Sequence, residues 1–176
     1  MKDAEYYYQR GLEKNLQDNA EAIDDYTRAI ELDPSHLEAY LRRGTFAYRV
    51  LKRYEASLAD FDRAIELKPD CAYAYLHRGI VKCHLLKFEE AVPDFDRAIE
   101  LDPNDERAYL NRGKNRHMLG YSQEDVGADL EKAIFLGSPQ AADMIELFFG
   151  QDRDSVKEAI INRVREKSRQ MQKHSP

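Results

Sequence analysis

The sequence predicts an all-α chain built as a solenoid of stacked antiparallel helix pairs. Three observations carry this. A seven-residue phrase recurs at a fixed interval, both halves of each interval have the apolar spacing of a helix, and proline closes nearly every interval. The phrase Arg28-Ala29-Ile30-Glu31-Leu32-Asp33-Pro34 returns as Arg63-Ala64-Ile65-Glu66-Leu67-Lys68-Pro69 and as Arg97-Ala98-Ile99-Glu100-Leu101-Asp102-Pro103. A weaker copy is Lys132-Ala133-Ile134-Phe135-Leu136-Gly137-Ser138-Pro139. The alanines stand 35, 34 and 35 residues apart, and a period in that range marks units that bury their apolar faces only by stacking.

The first half of each unit also repeats. Tyr7-x-x-Arg10-Gly11 matches Tyr40-x-x-Arg43-Gly44, Tyr75-x-x-Arg78-Gly79 and Tyr109-x-x-Arg112-Gly113. In the second half a small residue precedes an aromatic by four: Ala22 and Tyr26, Ser57 and Phe61, Ala91 and Phe95. In the fourth unit Val126 and Leu130 take those places. Ala22, Ile23, Tyr26, Ala29 and Ile30 fall on one face of a helix. Asp18-x-x-Glu21 and Ser35-x-x-Glu38 read as capping boxes, and Ser138-Pro139 as an N-cap followed by proline in the first turn. Pro34, Pro69 and Pro103 end helices, whereas Pro93 lies inside one. Each Gly of the first half sits mid-helix at a cost of about 1 kcal/mol relative to alanine, tolerable where a neighbour needs close approach. Asp25, Asp60, Asp94 and Asp129 are the predicted partners of Arg10, Arg43, Arg78 and Arg112, because a shielded guanidinium requires one.

These phrases resemble the tetratricopeptide repeat family, whose pattern is aromatic-x-x-Leu-Gly, then Ala-x-x-x-Phe, then Pro. Tyr for the usual Trp and Arg for the Leu before Gly make it similar to a bacterial-type Tyr-x-x-Arg-Gly variant. The resemblance implies a right-handed α-solenoid. It divides the chain into four repeats at about 3–36, 37–71, 72–105 and 106–139, the fourth degenerate, followed by C-terminal capping helices and a short tail over 140–176. Residues 140–149 read as one short helix. A last helix running to about Lys173 has Val156, Ala159, Ile160, Val164 and Met171 as its apolar stripe. From Arg153 onward there are seven Lys or Arg against three Asp or Glu, in an otherwise acidic chain of net charge −6.

The resemblance further implies a groove lined by the first helices, where a partner peptide lies. Offsets from each glycine nominate its lining. Three before are Tyr8, Leu41, Leu76 and Leu110; two before are Arg42, His77 and Asn111; six before are Tyr73 and Arg107. Ile80 and Lys114 stand one after, Tyr48 four after, and Arg49 and His84 five after. The same offsets also take in Glu5, Gln9, Leu12, Asn15, Leu16, Glu38, Thr45, Cys83, His117 and Met118. Tyr8, Tyr48 and Tyr73 are candidate anchors, and Arg42, Arg49, Arg107 and Lys114 favour an apolar and acidic peptide or a C-terminal carboxylate. The carboxylate clamp of heat-shock co-chaperones needs Lys three before a glycine and Asn one after it. No unit has either, so a heat-shock chaperone tail is not the expected ligand.

Function is therefore expected to be non-catalytic protein–protein interaction, as an adaptor or scaffold. The alternatives are a dedicated chaperone or assembly factor for one partner, and nucleic-acid association through the basic last helix, which the net acidity opposes. Self-association through the groove or last helix is also compatible with the pattern. No phosphate loop, nucleophile elbow or zinc motif appears, so neither an enzyme nor a cofactor is expected. Cys71, His77 and Cys83 are six apart in turn and cannot converge from one helix, so no metal is expected. The two cysteines fit no disulfide framework, and the start lacks signal-peptide character. A cytoplasmic protein with no membrane span is the expectation.

Overall fold

The computed structural model describes residues 2–17 and 20–150. Among the described residues there are nine α-helices and no strand: α1 Ala4–Asn15, α2 Ala22–Leu32, α3 Leu37–Arg49, α4 Tyr54–Leu67, α5 Ala72–His84, α6 Phe88–Leu101, α7 Glu106–Met118, α8 Gln123–Phe135 and α9 Pro139–Phe149. Two compact units divide them, Met1–Leu101 and Asp102–Pro176. In the first, α1 packs on α2, α3 on α4 and α5 on α6, while α2 meets α3, α4 meets α5, and α3 also touches α5. In the second, α7 packs on α8, and α9 lies against both. The expected last helix, and with it the basic patch, lies outside the described residues.

The repeated small and aromatic residues form the cores. Ala22, Tyr26, Ala29, Phe61, Ala64, Ala91 and Phe95 have no exposed surface. The first-helix glycines face the large side chain of their own pair. A Cβ on Gly11 would lie 2.7 Å from the Tyr26 ring, and one on Gly79 2.8 Å from the Phe95 ring. The degenerate fourth pair keeps the arrangement with Val126 and Leu130, both buried.

The Arg–Asp pairs form in all four helix pairs, each within its own pair. The guanidinium forks onto both carboxylate oxygens in Arg43–Asp60 at 3.0 and 2.6 Å, Arg78–Asp94 at 3.0 and 2.6 Å and Arg112–Asp129 at 3.0 and 2.6 Å. Arg10 grips Asp25 in the same way. A second cation, three residues after the glycine, joins three of these aspartates. Lys14 reaches Asp25 at 3.1 Å, Lys82 reaches Asp94 at 2.8 Å and Arg116 reaches Asp129 at 2.9 Å. In the second pair that place holds Ala47, which is buried, so Asp60 has Arg43 as its cation. The electrostatics differ accordingly. Burial opposes ionisation of Asp25, but hydrogen bonds from Arg10 and Lys14 more than offset it and hold its carboxyl below the ordinary range. Burial holds the Asp60 carboxyl above that range despite Arg43.

The helix starts correct one expectation. Ser35 does not cap α3: His36 is the N-cap, its Nδ1 accepting from the Ala39 amide at 3.3 Å. Ser35 instead donates from its amide and its hydroxyl to Asp33 Oδ1, at 2.9 and 2.6 Å, in a tight turn across Pro34. The Asp18 cap lies outside the described residues, and α2 begins after Glu21 without a side-chain cap bond. Ser138 is the N-cap of α9 with Pro139 in the first turn, but its side chain makes no cap bond. Asp3, Asp105 and Ser122 do cap α1, α7 and α8.

Two features of the backbone lead to stability predictions. The turn from α5 to α6 places Leu86 at φ 60°, and the corresponding turn from α7 to α8 uses Gly120 at φ 73°. A left-handed conformation costs an L-residue roughly 1–2 kcal/mol. Leu86 is 74% exposed, so its side chain contributes little burial. Leu86→Gly is expected to raise stability by about 0.5–1 kcal/mol, part of the relief being offset by the freer unfolded chain; a lowered urea midpoint would contradict this. Gly127, inside α8, has nothing among the described residues within 4 Å of a Cβ built on it. Gly127→Ala should therefore stabilise by about 1 kcal/mol, the helix-propensity difference, read as a rise in melting temperature.

Candidate peptide-binding cleft

The nominated residues of the first unit lie on α1, α3 and α5, but neighbouring helices cover some of them. Tyr8, Tyr48, Leu76 and His77 are each less than a tenth exposed. Tyr48 donates or accepts a 2.7 Å hydrogen bond with His77 Nδ1 between α3 and α5, and the His77 ring lies 4.0 Å from that of Tyr73. These side chains wall the trough more than they face it. Leu41, Tyr73 and Ile80 are half-buried, and Arg42, Arg49 and His84 are exposed. His84 stacks on Tyr54 at 5.0 Å.

A cleft of about 600 Å³ opens in this unit, lined by Asn15, Arg42, Thr45, Phe46, Arg49, Val50 and Tyr73. Arg42 and Arg49 are two turns apart on one face of α3, Asn15 comes from the end of α1, and Tyr73 from the start of α5. The Thr45 hydroxyl shares a 3.0 Å hydrogen bond with the Tyr73 hydroxyl and donates to the Leu41 carbonyl at 2.7 Å. The Asn15 amide donates to Tyr26 Oη at 3.2 Å. Among the described residues no carboxylate lines the cleft. Among the described residues, Arg42, Arg49 and Arg53 are the arginines that form no ion pair, and two of these three line it. Burial alone would lower the Arg42 pKa, but hydrogen bonding to Tyr8 and the nearby phenols of Tyr73 and Tyr26 raise it above its ordinary value. Arg42 is thus a firmly charged group beside tyrosines.

Phe46 and Val50 also contribute, and neither was among the nominated positions. Phe46 is a buried core residue that also lines the cleft. Val50 is the C-cap of α3, where offsets counted along a helix no longer apply.

In the second unit Leu110 is buried, Asn111 half-buried, and Arg107 and Lys114 exposed, all on α7. Arg107 already holds Asp105 at 2.7 Å, and the Asn111 amide donates to the Arg107 carbonyl at 2.7 Å. Among the described residues no cluster of His, Cys, Asp or Glu is suited to a metal, and no helix is long and apolar enough to cross a membrane.

Two family models described as tetratricopeptide repeat match residues 12–72 and 45–112. The first repeat domain of RPAP3 (Spaghetti), bound to the HSP90 peptide SRMEEVD, is 30% identical, covering 67% of this chain and 94% of that one with a TM-score of 0.65. This chain belongs to the tetratricopeptide repeat family. The first such domain of human RPAP3 gives the same identity, with coverages of 66% and 92% and a TM-score of 0.63. MamA from Desulfovibrio magneticus RS-1, residues 41 to its end, superposes with a TM-score of 0.75 over 98% of this chain and 97% of that one. At 16% identity that likeness shows the shared fold alone. The uncharacterized protein MJ0572 of Methanocaldococcus jannaschii is 41% identical over 56 residues, 31% of this chain. The matched stretch spans 64% of that protein's length.

Proposed function

We propose that this tetratricopeptide repeat chain is a non-catalytic adaptor or scaffold that holds a partner peptide against its first helices. The observation that carries this reading is the cleft in the first unit, where Arg42 and Arg49 stand beside Tyr73 with no carboxylate among the described lining residues. Charged donors of this kind recognise carboxylates with strong, directional hydrogen bonds. Half-buried Leu41, Tyr73 and Ile80 supply apolar and aromatic contact beside them. The partner is therefore a peptide with acidic and apolar groups. The peptide held by the RPAP3 domain is acidic, which supports the chemistry. The clamp pattern of lysine and asparagine around the glycines is missing here, so we propose a different acidic partner from a heat-shock chaperone tail. The remaining nominated residues, Arg107, Leu110, Asn111 and Lys114 in the fourth of the four proposed repeats, carry basic, apolar and amide groups of the same kind on α7 of the second unit.

The test is affinity capture from a native lysate with the wild-type chain and with the Arg49→Glu/Lys114→Glu variant. Capture of a defined protein by the wild type, lost in the variant, is expected. Capture that is unchanged in the variant would remove the proposal.

A further inference from the structure

We infer that a second copy of this chain docks edge to edge on the first unit, the α3–α4 and α5–α6 turns of one copy entering an acidic hollow of the next. The surfaces involved share no residue with the cleft. The first helices α1, α3 and α5 each start on one edge of the unit and end on the other. On the edge where they end, Lys52, Arg53 and Lys87 are exposed. None of these three forms an ion pair among the described residues. Glu55, Glu89 and Glu90 follow in the first turns of α4 and α6 without pairing to them. Leu86, beside Lys87, is 74% exposed and holds a left-handed φ of 60°. That conformation costs an L-residue roughly 1–2 kcal/mol, which the turn from α7 to α8 avoids with Gly120. Within one copy the leucine gains no burial in return. Strain kept at an exposed apolar side chain marks a contact residue, and its burial needs a second surface.

That surface lies on the edge where the first helices start. A hollow of about 480 Å³ opens between the start of α1 and the turn from α2 to α3. Asp3, Glu5, Asp33 and Glu38 line it, with Ala4 and Leu37 as its apolar part. Among the described residues no lysine or arginine pairs with these carboxylates; His36 lies 3.5 Å from Glu5 and 3.9 Å from Glu38. Lys2, next to Asp3, is laid over the Tyr6 ring at 4.5 Å instead. Hydrogen bonds from the Ser35 hydroxyl and amide hold the Asp33 carboxyl below its ordinary range, so it is charged at neutral pH. The hollow and the cationic turns cannot meet within one molecule, because α3 separates them by about 18 Å from Leu37 to Arg49. Between two copies their charges are opposite, and Leu86 finds Ala4 and Leu37. Their spacing also agrees, since each surface spans two successive helix pairs of one repeating array. Such a contact is heterologous and repeats from copy to copy. Its exposed ion pairs are individually weak, so association depends on concentration and salt.

The test is sedimentation equilibrium of the full chain at rising concentration in low salt. The weight-average mass should climb past that of a dimer, and return to the monomer in about 0.5 M salt, where charges are screened within about 4 Å. Lys52→Glu/Arg53→Glu and Glu5→Lys/Glu38→Lys should each weaken association at least tenfold. All four residues are exposed, so circular dichroism should show both variants folded. Leu86→Gly should weaken association while raising the stability of the single chain. The two charge variants mixed one to one should associate again, because each keeps one intact surface. A wild type that stays monomeric, a mass that levels off at the dimer, or association indifferent to either charge variant would overturn the inference. So would two folded, monomeric variants whose mixture stays monomeric. The peptide-binding reading of the cleft is unaffected by any of these results and is tested separately by lysate capture.

Discussion

Replacing Arg43 with methionine is expected to destabilise the first unit by about 3 kcal/mol at neutral pH, more than the same change at Arg10. The difference lies in what remains. Removing one partner of a buried ion pair strands the other charge in a medium that solvates it poorly. Asp60 is 5% exposed, and Arg43 is its cation, gripping both oxygens and also donating to Thr27 Oγ1 at 3.0 Å. Asp25, by contrast, keeps Lys14 when Arg10 is lost. The pH dependence follows with a definite sign. The Asp60 carboxyl already titrates above the ordinary aspartate value of 3.8 because of burial, and loss of Arg43 pushes it higher still. A folded-state value above the unfolded one means that the folded chain binds the extra proton in that window. The deficit of the variant should therefore be smallest below about pH 4 and should grow as pH rises through the folded-state value. Asp25 has the opposite sign: its contribution is present above the ordinary value and is lost as pH falls through its depressed one. Adding Asp60→Asn to Arg43→Met should cost much less than the sum of the single changes, since no charge is left stranded. Chemical denaturation across pH checks all three statements, and additive losses would refute the pairing as an energetic unit.

Gly79→Ala is expected to destabilise by up to about 2 kcal/mol even though alanine is the better helix former. The propensity gain is about 1 kcal/mol, while forcing a methyl into a filled core typically costs 1–3 kcal/mol. Here the methyl would lie 2.8 Å from Phe95 Cε1. That ring has no exposed surface and no easy retreat. Phe95→Ala alone should cost about 3–5 kcal/mol through lost burial and the cavity left behind. In the Phe95→Ala background the obstacle is gone, so Gly79→Ala should change sign and stabilise. The opposite sign expected for Gly127→Ala, where no packed atom of the described residues comes within 4 Å, shows that the glycine itself is not the point. A Gly79→Ala melting temperature equal to or above wild type would mean that α5 and α6 do not approach as closely as described.

Much of this was readable in the order of residues. The 34–35-residue recurrence, the small-to-aromatic spacing and the prolines after each phrase are local, and they name helix pairs before any contact is seen. The Arg–Asp partnership was readable too, because each pair of helices repeats both residues, at separations of 15, 17, 16 and 17. The second cation was visible in principle at Lys14, Lys82 and Arg116. It gained meaning only once helix packing put those side chains on an aspartate in the partner helix, and put Ala47 where the second pair has none. The cap of α3 was misplaced for a local reason: Ser35 spends its hydroxyl on Asp33 across a proline turn, which leaves the task to His36.

The nominated groove is where sequence reached least far. An offset from glycine gives a direction around one helix but not what covers that direction. Counted from the glycine, Tyr8, Tyr48 and Leu76 point about 100° around their helices from the direction of Arg42 and Arg49; adjacent helices enclose the first three and leave the arginines in solvent. What the residues determined by themselves was the class of fold and the internal bookkeeping of each helix pair, because periodicity and charge pairing act at short range. What only the tertiary structure decided was which side chains remain accessible, because exposure depends on the summed packing of helices remote in the chain.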